Sequence, residues 1–342
     1  MQEKILFDLD NAPQIPAAIP IAEALAKMGH QVLFSVKNRS RAWELMQLHN
    51  RQFFKFKDSE HSQITGKAIS TLTRALALTH LIKKYKITKA VGLGSRSLPI
   101  AAWMTGIPSI TIIDYEWVNT TIYNKFSTTI LLPEVITIQN CEKANINTQK
   151  VKHFPGIRQS IYINSKATEE ETERKIKTKQ IIKQLNINQT RTNILLRPPA
   201  TKAHYHNTNT QLSYTRAVTQ LLKQKNTDLY CIARVNEKTK DKAKMNKKEI
   251  KQITQIFNGT ELISAFSAIV GAGGTMTREA AALGIPSYTC FQGPMGMVDQ
   301  YLINQQRLFE PPNTPIPHYK PLPILTPGTN PLPVIVEAIL NS

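Results

Sequence analysis

The first half of the chain alternates short apolar runs with longer stretches in which apolar residues recur every three or four positions. Residues 4–9 (KILFDL) suit a strand buried on both faces. Residues 15–28 carry apolar positions at helical spacing and stop at Gly29, a residue suited to the left-handed turn that ends helices. The same pattern predicts strands at 31–36, 52–56, 89–93, 109–113 and 135–138, and helices at 41–48, 67–85 and 98–105. Repeated strand–helix units predict a parallel, doubly wound sheet.

A charged helix over 169–183 interrupts the pattern. A second series follows, with strands predicted at 193–197, 229–233, 268–270 and 287–290 and helices at 210–224, 246–257 and 276–283. The expected organisation is α/β with two Rossmann-like domains. These are an N-terminal domain over 1–160, a linker with the charged helix over 161–190, a second domain over 191–330, and a terminal helix in 331–342 that packs back on the first domain. Nine of the 20 prolines fall between Pro311 and Pro333, so that stretch reads as extended and irregular.

Composition narrows the function classes. Hydrophobic residues make up 41% of the 342, which excludes a wholly disordered chain. No run of about 18 apolar residues appears, so no transmembrane helix is expected. The start MQEKILFDLDNAP has no apolar signal core, and the three cysteines, Cys141, Cys231 and Cys290, are scattered. A reduced, cytoplasmic protein is expected.

Lys and Arg total 43 against 24 Asp and Glu, a net charge of +19. The excess concentrates at 174–183 and 238–251, without interleaved aromatics, and reads as solvated faces rather than a base-stacking surface. No specific nucleic-acid partner is expected. A basic face that holds the protein against anionic lipid at the inner side of a membrane stays open.

The segment Ile269-Val270-Gly271-Ala272-Gly273-Gly274-Thr275-Met276-Thr277-Arg278-Glu279 runs from an apolar strand through a glycine turn into a helix. Exposed N–H groups at such a helix start, backed by the helix dipole, bind phosphate. Gly271, Gly273, Gly274, Thr275 and Met276 would supply these amides. Glu279, one turn further, could accept hydrogen bonds from ribose hydroxyls. The spacing is neither a Walker loop nor G-x-G-x-x-G, and a plain strand–helix turn is the competing reading. At the end of the first strand, Asp8, Asp10 and Asn11 sit where cleft residues of parallel sheets belong, and Glu116 with Asp114 follows another strand end. Asp10-Asn11 reads equally well as a helix cap before Pro13. No Asp-x-Asp and no His/Cys cluster suggests a metal.

These motifs together resemble the domain-of-unknown-function 354 family, grouped by fold with the GT-B glycosyltransferases and the sugar-nucleotide 2-epimerases. The resemblance rests on Asp8-Leu9-Asp10-Asn11-Ala12-Pro13, Gly29-His30-Gln31-Val32, Gly106-Ile107-Pro108, Asp114-Tyr115-Glu116, Phe154-Pro155-Gly156-Ile157, Leu196-Arg197-Pro198, Ala203-His204-Tyr205, Gly273–Ala280 and Val298-Asp299 with Tyr301-Leu302. It implies a nucleotide-diphosphate sugar held in a cleft between two domains, mainly by the second. Gly273, Gly274, Thr275 and Glu279 would hold diphosphate and ribose, Arg197 would neutralise the leaving diphosphate, and His204 or Tyr205 would reach phosphate or base. Arg197 also reads as a surface ion-pair residue. The first domain would supply acceptor and base, with Asp8, Asp10 or Glu116 as the carboxylate that deprotonates an acceptor hydroxyl. Where the family tends to carry histidine, this chain has Gln14 and Trp117. Neither can take a proton near neutral pH, so a histidine base in the first domain is not expected.

The expected activity is a metal-independent glycosyltransferase of GT-B architecture that needs no cofactor beyond its nucleotide-diphosphate sugar donor. It would act on an unknown acceptor in cell-envelope or polysaccharide synthesis. The alternatives are a nucleotide-sugar 2-epimerase and a non-catalytic binder of nucleotide sugar or nucleic acid. The epimerases' Gly-x-Arg-Pro-Glu start is missing here, and the first loop is Asp10-Asn11-Ala12-Pro13 instead.

Overall fold

The computed structural model describes residues 2–57, 64–163, 168–199, 208–232, 250–311 and 322–342. It divides into two compact units: Met1–Tyr162 with Gly296–Val298 and Pro327–Ser342, and Ile163–Met295 with Asp299–Thr326.

The first unit contains β1 (Lys4–Leu9), α1 (Ile15–Lys27), β2 (Gln31–Lys37), α2 (Ala42–Leu48), β3 (Phe54–Phe56), α3 (Ile64–Tyr85), β4 (Lys89–Gly92), α4 (Ser97–Thr105), β5 (Ser109–Ile112), α5 (Thr121–Phe126), β6 (Thr129–Pro133), α6 (Ile138–Lys143) and β7 (Val151–Phe154). Its seven strands are all parallel, in the order β3-β2-β1-β4-β5-β6-β7. The apolar runs become central strands because helices cover both faces: Ile5, Leu6, Phe7 and Leu9 are fully buried. Leu78, Leu81 and Ile82 of α3 pack on Leu6, Ala90, Leu98 and Ala101.

The second unit contains α7 (Thr168–Gln184), β8 (Thr192–Arg197), α8 (Thr208–Leu221), β9 (Thr227–Ile232), β10 (Ile250–Ile253), α9 (Gly259–Ile263), β11 (Ala268–Gly271), α10 (Thr275–Ala282), β12 (Ser287–Thr289), most of α11 (Met297–Asn304) and β13 (Leu308–Phe309). Six parallel strands run β10-β9-β8-β11-β12-β13. Charged α7 is anchored by Thr178 Oγ1, which donates to the Glu261 carbonyl of α9. The last helix, α12 (Pro331–Leu340), lies against α1 and β7 of the first unit.

Three sequence expectations fail. The strand predicted at 135–138 lies earlier, as β6, and residue 138 opens α6, capped by Thr137 through the Asn140 amide. Elements α5 and β7 were not anticipated. The helix predicted at 246–257 gives way to strand β10 (246–249 lie outside the described residues). Ile250 and Ile253 sit three apart, as on a helix face, but this edge strand pairs with β9 alone. The Lys251 ammonium meets Asp228 and the Tyr230 hydroxyl across that pairing.

In each sheet the crossover direction reverses beside the first strand, between β1 and β4 and between β8 and β11. Carboxyl ends of strands at such reversals are where open α/β sheets bind ligands.

The extended segment 322–326 is tied to the end of α10: Leu322 N donates to Gly284 O and Leu325 N to Ala282 O, at 2.8 and 2.7 Å. Gly284 has φ +78°, and a Cβ there would lie 1.9 Å from the Leu322 carbonyl oxygen. Gly284→Ala should therefore lower unfolding free energy by at least about 2 kcal/mol in urea titration. A neutral result would show that segment 322–326 can give way freely.

Candidate functional site

Each unit carries one candidate site at its strand reversal. In the first, Asp8 ends β1 fully buried. Its Oδ1 accepts from the Ser35 hydroxyl and from Arg74 Nη2, the latter at 2.6 Å, and its Oδ2 accepts from Ser95 Oγ at 2.6 Å. A buried carboxylate is tolerated when charge-assisted hydrogen bonds replace its water. Asp8 thereby ties β1, β2, α3 and the loop after β4 together.

Asp10 lies two residues further, at the mouth of this network, and is a quarter exposed. Arg74 Nη2 stands 3.4 Å from its Oδ1. Burial lifts the Asp10 carboxyl above the usual carboxylate range; Arg74 opposes this and Asp8 adds to it. The Oδ1 of neighbouring Asn11 is buried with no hydrogen bond among the described residues. Neither side chain caps α1. Instead Gln14 braces the loop: its Oε1 accepts from the Asp10 and Asn11 amides at 2.6 and 3.2 Å. Asn11 nevertheless stands at the N-cap of the short 3-10 turn Ala12–Gln14 that leads into α1, and Gln14 closes the backbone half of a capping box on it, so the cap reading holds at Asn11 beside the site reading.

The loop after β4 faces the same place. Gly94 has φ +91°, and a Cβ on it would lie 3.6 Å from Gln14 Nε2. The Tyr123 hydroxyl donates to the Gly94 carbonyl at 2.7 Å, and burial pushes its pKa up to about 12. Glu116 is buried elsewhere in the unit, and its Oε1 accepts from Met297 N at 2.8 Å. Asp114 pairs with Arg158 at 3.1 Å. Trp117 is about half exposed. The structure thus brings Asp8, Asp10 and Asn11 together and sets Glu116 in a separate, cap-like role.

In the second unit, the β8–β11 pairing sets Gly271 opposite Arg197, at the strand ends. A Cβ on Gly271 would lie 2.8 Å from Thr277 Cγ2, so a larger residue would push α10 off its strand. Gly273 and Gly274 have φ of +82° and +99°. With ψ −163°, Gly274 occupies a region open essentially to glycine alone. Gly273 rests against Phe291, while nothing lies within 4 Å of where a Gly274 Cβ would project. Gly274 is exposed, Thr275 and Met276 are half-buried, and no acceptor among the described residues meets the Gly273 or Gly274 amide. Two amides at the start of a helix are thus left open to a ligand. Arg197 flanks them, and its carbonyl accepts from Ala272 N at 3.3 Å.

Glu279 sits one turn along, buried against the start of α9, where a Gly259 Cβ would lie 3.1 Å from its Oε2. His204 and Tyr205 lie outside the described residues. Two supports escaped the sequence reading. Arg74 sits on the buried face of α3 beside Ala75 and Leu78, a cation in an apolar stripe, which is a legible signal. Arg278 forms a buried bidentate pair with Asp299, both contacts at 2.7 Å, and locks α10 to α11. Nothing in the sequence links those two residues. No group of three or more His, Cys, Asp or Glu among the described residues is placed to hold a metal ion.

Two Rossmann-like units, each built on a parallel sheet with a strand-order reversal, define an α/β protein of the GT-B fold class. Solved structures similar along nearly the full length share that fold. UDP-GlcNAc 2-epimerase from Neisseria meningitidis, bound to UDP-GlcNAc, is 15% identical with a TM-score of 0.76, covering 99% of this chain and 100% of that one. The Methanocaldococcus jannaschii UDP-GlcNAc 2-epimerase in complex with UDP-GlcNAc and UDP is 13% identical with a TM-score of 0.64, over 99% and 93%. A glycosyltransferase from Rickettsia africae is 12% identical with a TM-score of 0.53, over 100% and 89%. The chain belongs to the family described as protein of unknown function, DUF354, whose model matches residues 3–314. An uncharacterized protein of Methanocaldococcus jannaschii is 26% identical over 330 residues, 89% of this chain and 86% of that one.

Two outcomes follow from the site geometry. An acid whose folded pKa is raised holds its proton better folded than unfolded, so it weakens the fold as pH rises past its unfolded pKa. Asp10→Asn should therefore raise the melting midpoint near neutral pH, with the gain fading below the ordinary carboxylate range. A gain that grows in acid would contradict the assignment. Asp299→Ala strands a buried guanidinium and should cost roughly 3–5 kcal/mol in denaturant unfolding.

Proposed function

We propose that the protein is a GT-B glycosyltransferase that moves a sugar from a nucleotide-diphosphate donor to an acceptor hydroxyl. The observation that carries this reading is the pair of amides at Gly273 and Gly274, at the start of α10 and beside Arg197, that meet no acceptor among the described residues. Such amides and a guanidinium suit a diphosphate, whose charge grows as the bond to the anomeric carbon breaks. Thr275 and Met276 extend the cradle, Gly271 lets the strand end approach it, and Glu279 is the carboxylate nearest in chain order for ribose hydroxyls. Because amides and Arg197 neutralise the leaving group, the reaction proposed uses no metal.

Asp10 is the proposed base. Its raised pKa brings it nearer the value a general base needs at neutral pH. The acceptor oxygen bonds to the anomeric carbon, its proton passes to Asp10, and the nucleoside diphosphate departs with the bonding pair. Asn11 orients the acceptor through its unsatisfied Oδ1, while Asp8 acts indirectly by fixing Arg74 beside Asp10. Gln14 cannot carry the proton, and it holds the loop. Glu116 is a weaker second base, since its Oε1 already accepts an amide.

A second reading, a nucleotide-sugar 2-epimerase, is favoured by the similarity to the Neisseria meningitidis enzyme bound to UDP-GlcNAc. The two differ in need: an epimerase turns over UDP-GlcNAc alone, and a transferase requires an acceptor. A thermal-shift series against UDP, GDP, dTDP and CMP sugars tests the shared donor site. A rise in midpoint with at least one is expected, and Gly274→Ala should abolish it while costing about 1–3 kcal/mol of stability. No rise with any donor, or an unchanged rise in Gly274→Ala, would remove the glycine turn from donor binding.

A further inference from the structure

We propose that the outer face of α3, continued by the end of α4, docks on an anionic lipid surface. Ile69, Leu72 and Leu76 are 65%, 53% and 52% exposed, although all are large aliphatics. Their spacing puts them on one stripe of α3, and His80, Lys83 and Lys84 continue it toward the helix C-terminus, all exposed. From Ile69 to Lys84 the stripe runs about 22 Å. Trp103 and Met104, 63% and 41% exposed, extend it sideways. Met104 Sδ lies 3.8 Å from Thr79 Oγ1 on α3, and the Trp103 ring meets Phe126 edge-on at 5.3 Å. Lys125 sits over the Phe126 ring and closes the patch with another cation.

The patch has two halves of different chemistry, one apolar with a tryptophan and one cationic, with no acidic residue on α3 or α4 themselves. Residues 61–113 include no Asp or Glu at all. Its positive members Arg74 and Lys89 are buried, so the exposed charge belongs to Lys83, Lys84 and neighbours. Apolar residues set beside lysines, with a tryptophan at the boundary, match the interface of a bilayer that carries acidic headgroups. A symmetric second copy fits worse, because an isologous pairing sets each lysine rim against its twin. Contiguous exposed apolar surface on this scale is uncommon unless something covers it. The patch shares no residue with the glycine turn or the Asp10 loop, so it stands or falls apart from the activity proposed above.

The test uses the full chain and sedimented vesicles. Binding to equimolar phosphatidylglycerol–phosphatidylcholine vesicles should exceed binding to phosphatidylcholine alone by at least tenfold and weaken with salt. Leu72→Ser with Leu76→Ser should lose at least tenfold, and so should Lys83→Glu with Lys84→Glu. These positions are exposed, so circular dichroism and melting should stay as in the parent. Brominated lipid should quench tryptophan emission, and that quenching should drop in Trp103→Phe, whose shape is conserved. Equal binding to both vesicle types, no binding to either, or unaltered binding in both double variants would overturn the proposal. So would a dimer in sedimentation velocity that Leu72→Ser with Leu76→Ser dissociates, since the face would then belong to a second copy.

Discussion

The candidate chemistry depends on one constraint: the backbone between β11 and α10 turns through Gly271, Gly273 and Gly274, the first too crowded for a Cβ beside Thr277 and the other two at positive φ. Together these let a strand end beside Arg197 and a helix begin with amides that no described residue accepts from. The same turn fixes α10, whose Arg278 reaches Asp299 on α11, so the candidate donor turn and the packing share one element. A sequence that relaxed the glycines would lose the amide cradle and the helix docking at once.

The first unit solves a different problem, how to hold two acids close together at the end of one strand. Asp8 is buried and accepts from Ser35, Arg74 and Ser95, which makes it an anchor for the elements around it. Asp10 shares Arg74 at longer range, and burial is the stronger influence on it. Two carboxylates two residues apart thus receive different environments, one fully hydrogen-bonded and one at the mouth of the network. Gln14 contributes by geometry alone, holding the Asp10 and Asn11 amides.

Much of this was legible in the sequence. The apolar runs at 4–9, 192–197 and 268–271 mark the central strands because both of their faces are covered, and Gly273-Gly274 before Thr275 marks the turn. Edge strand β10 was not legible: its apolar residues fall three apart, and lone pairing with β9 decides its form. The supports were hidden for another reason. Arg278–Asp299 and Tyr123–Gly94 join residues remote in the chain, and pattern reading is local. Arg74 was the exception, a cation written into the buried stripe of α3. The Asp10-Asn11 pair could be read as cap or site, and the Gln14 brace that closes a capping box on Asn11 keeps both readings in one loop.

The central claim is that main-chain amides of this turn hold a diphosphate, and the most direct measurement is a UDP titration followed in the amide spectrum of the isotopically labelled protein. The account predicts large, saturable shifts at Gly273 and Gly274, mirrored by the Arg197 side chain, with smaller changes elsewhere. Saturable UDP binding that leaves both glycine amides where they were would contradict it.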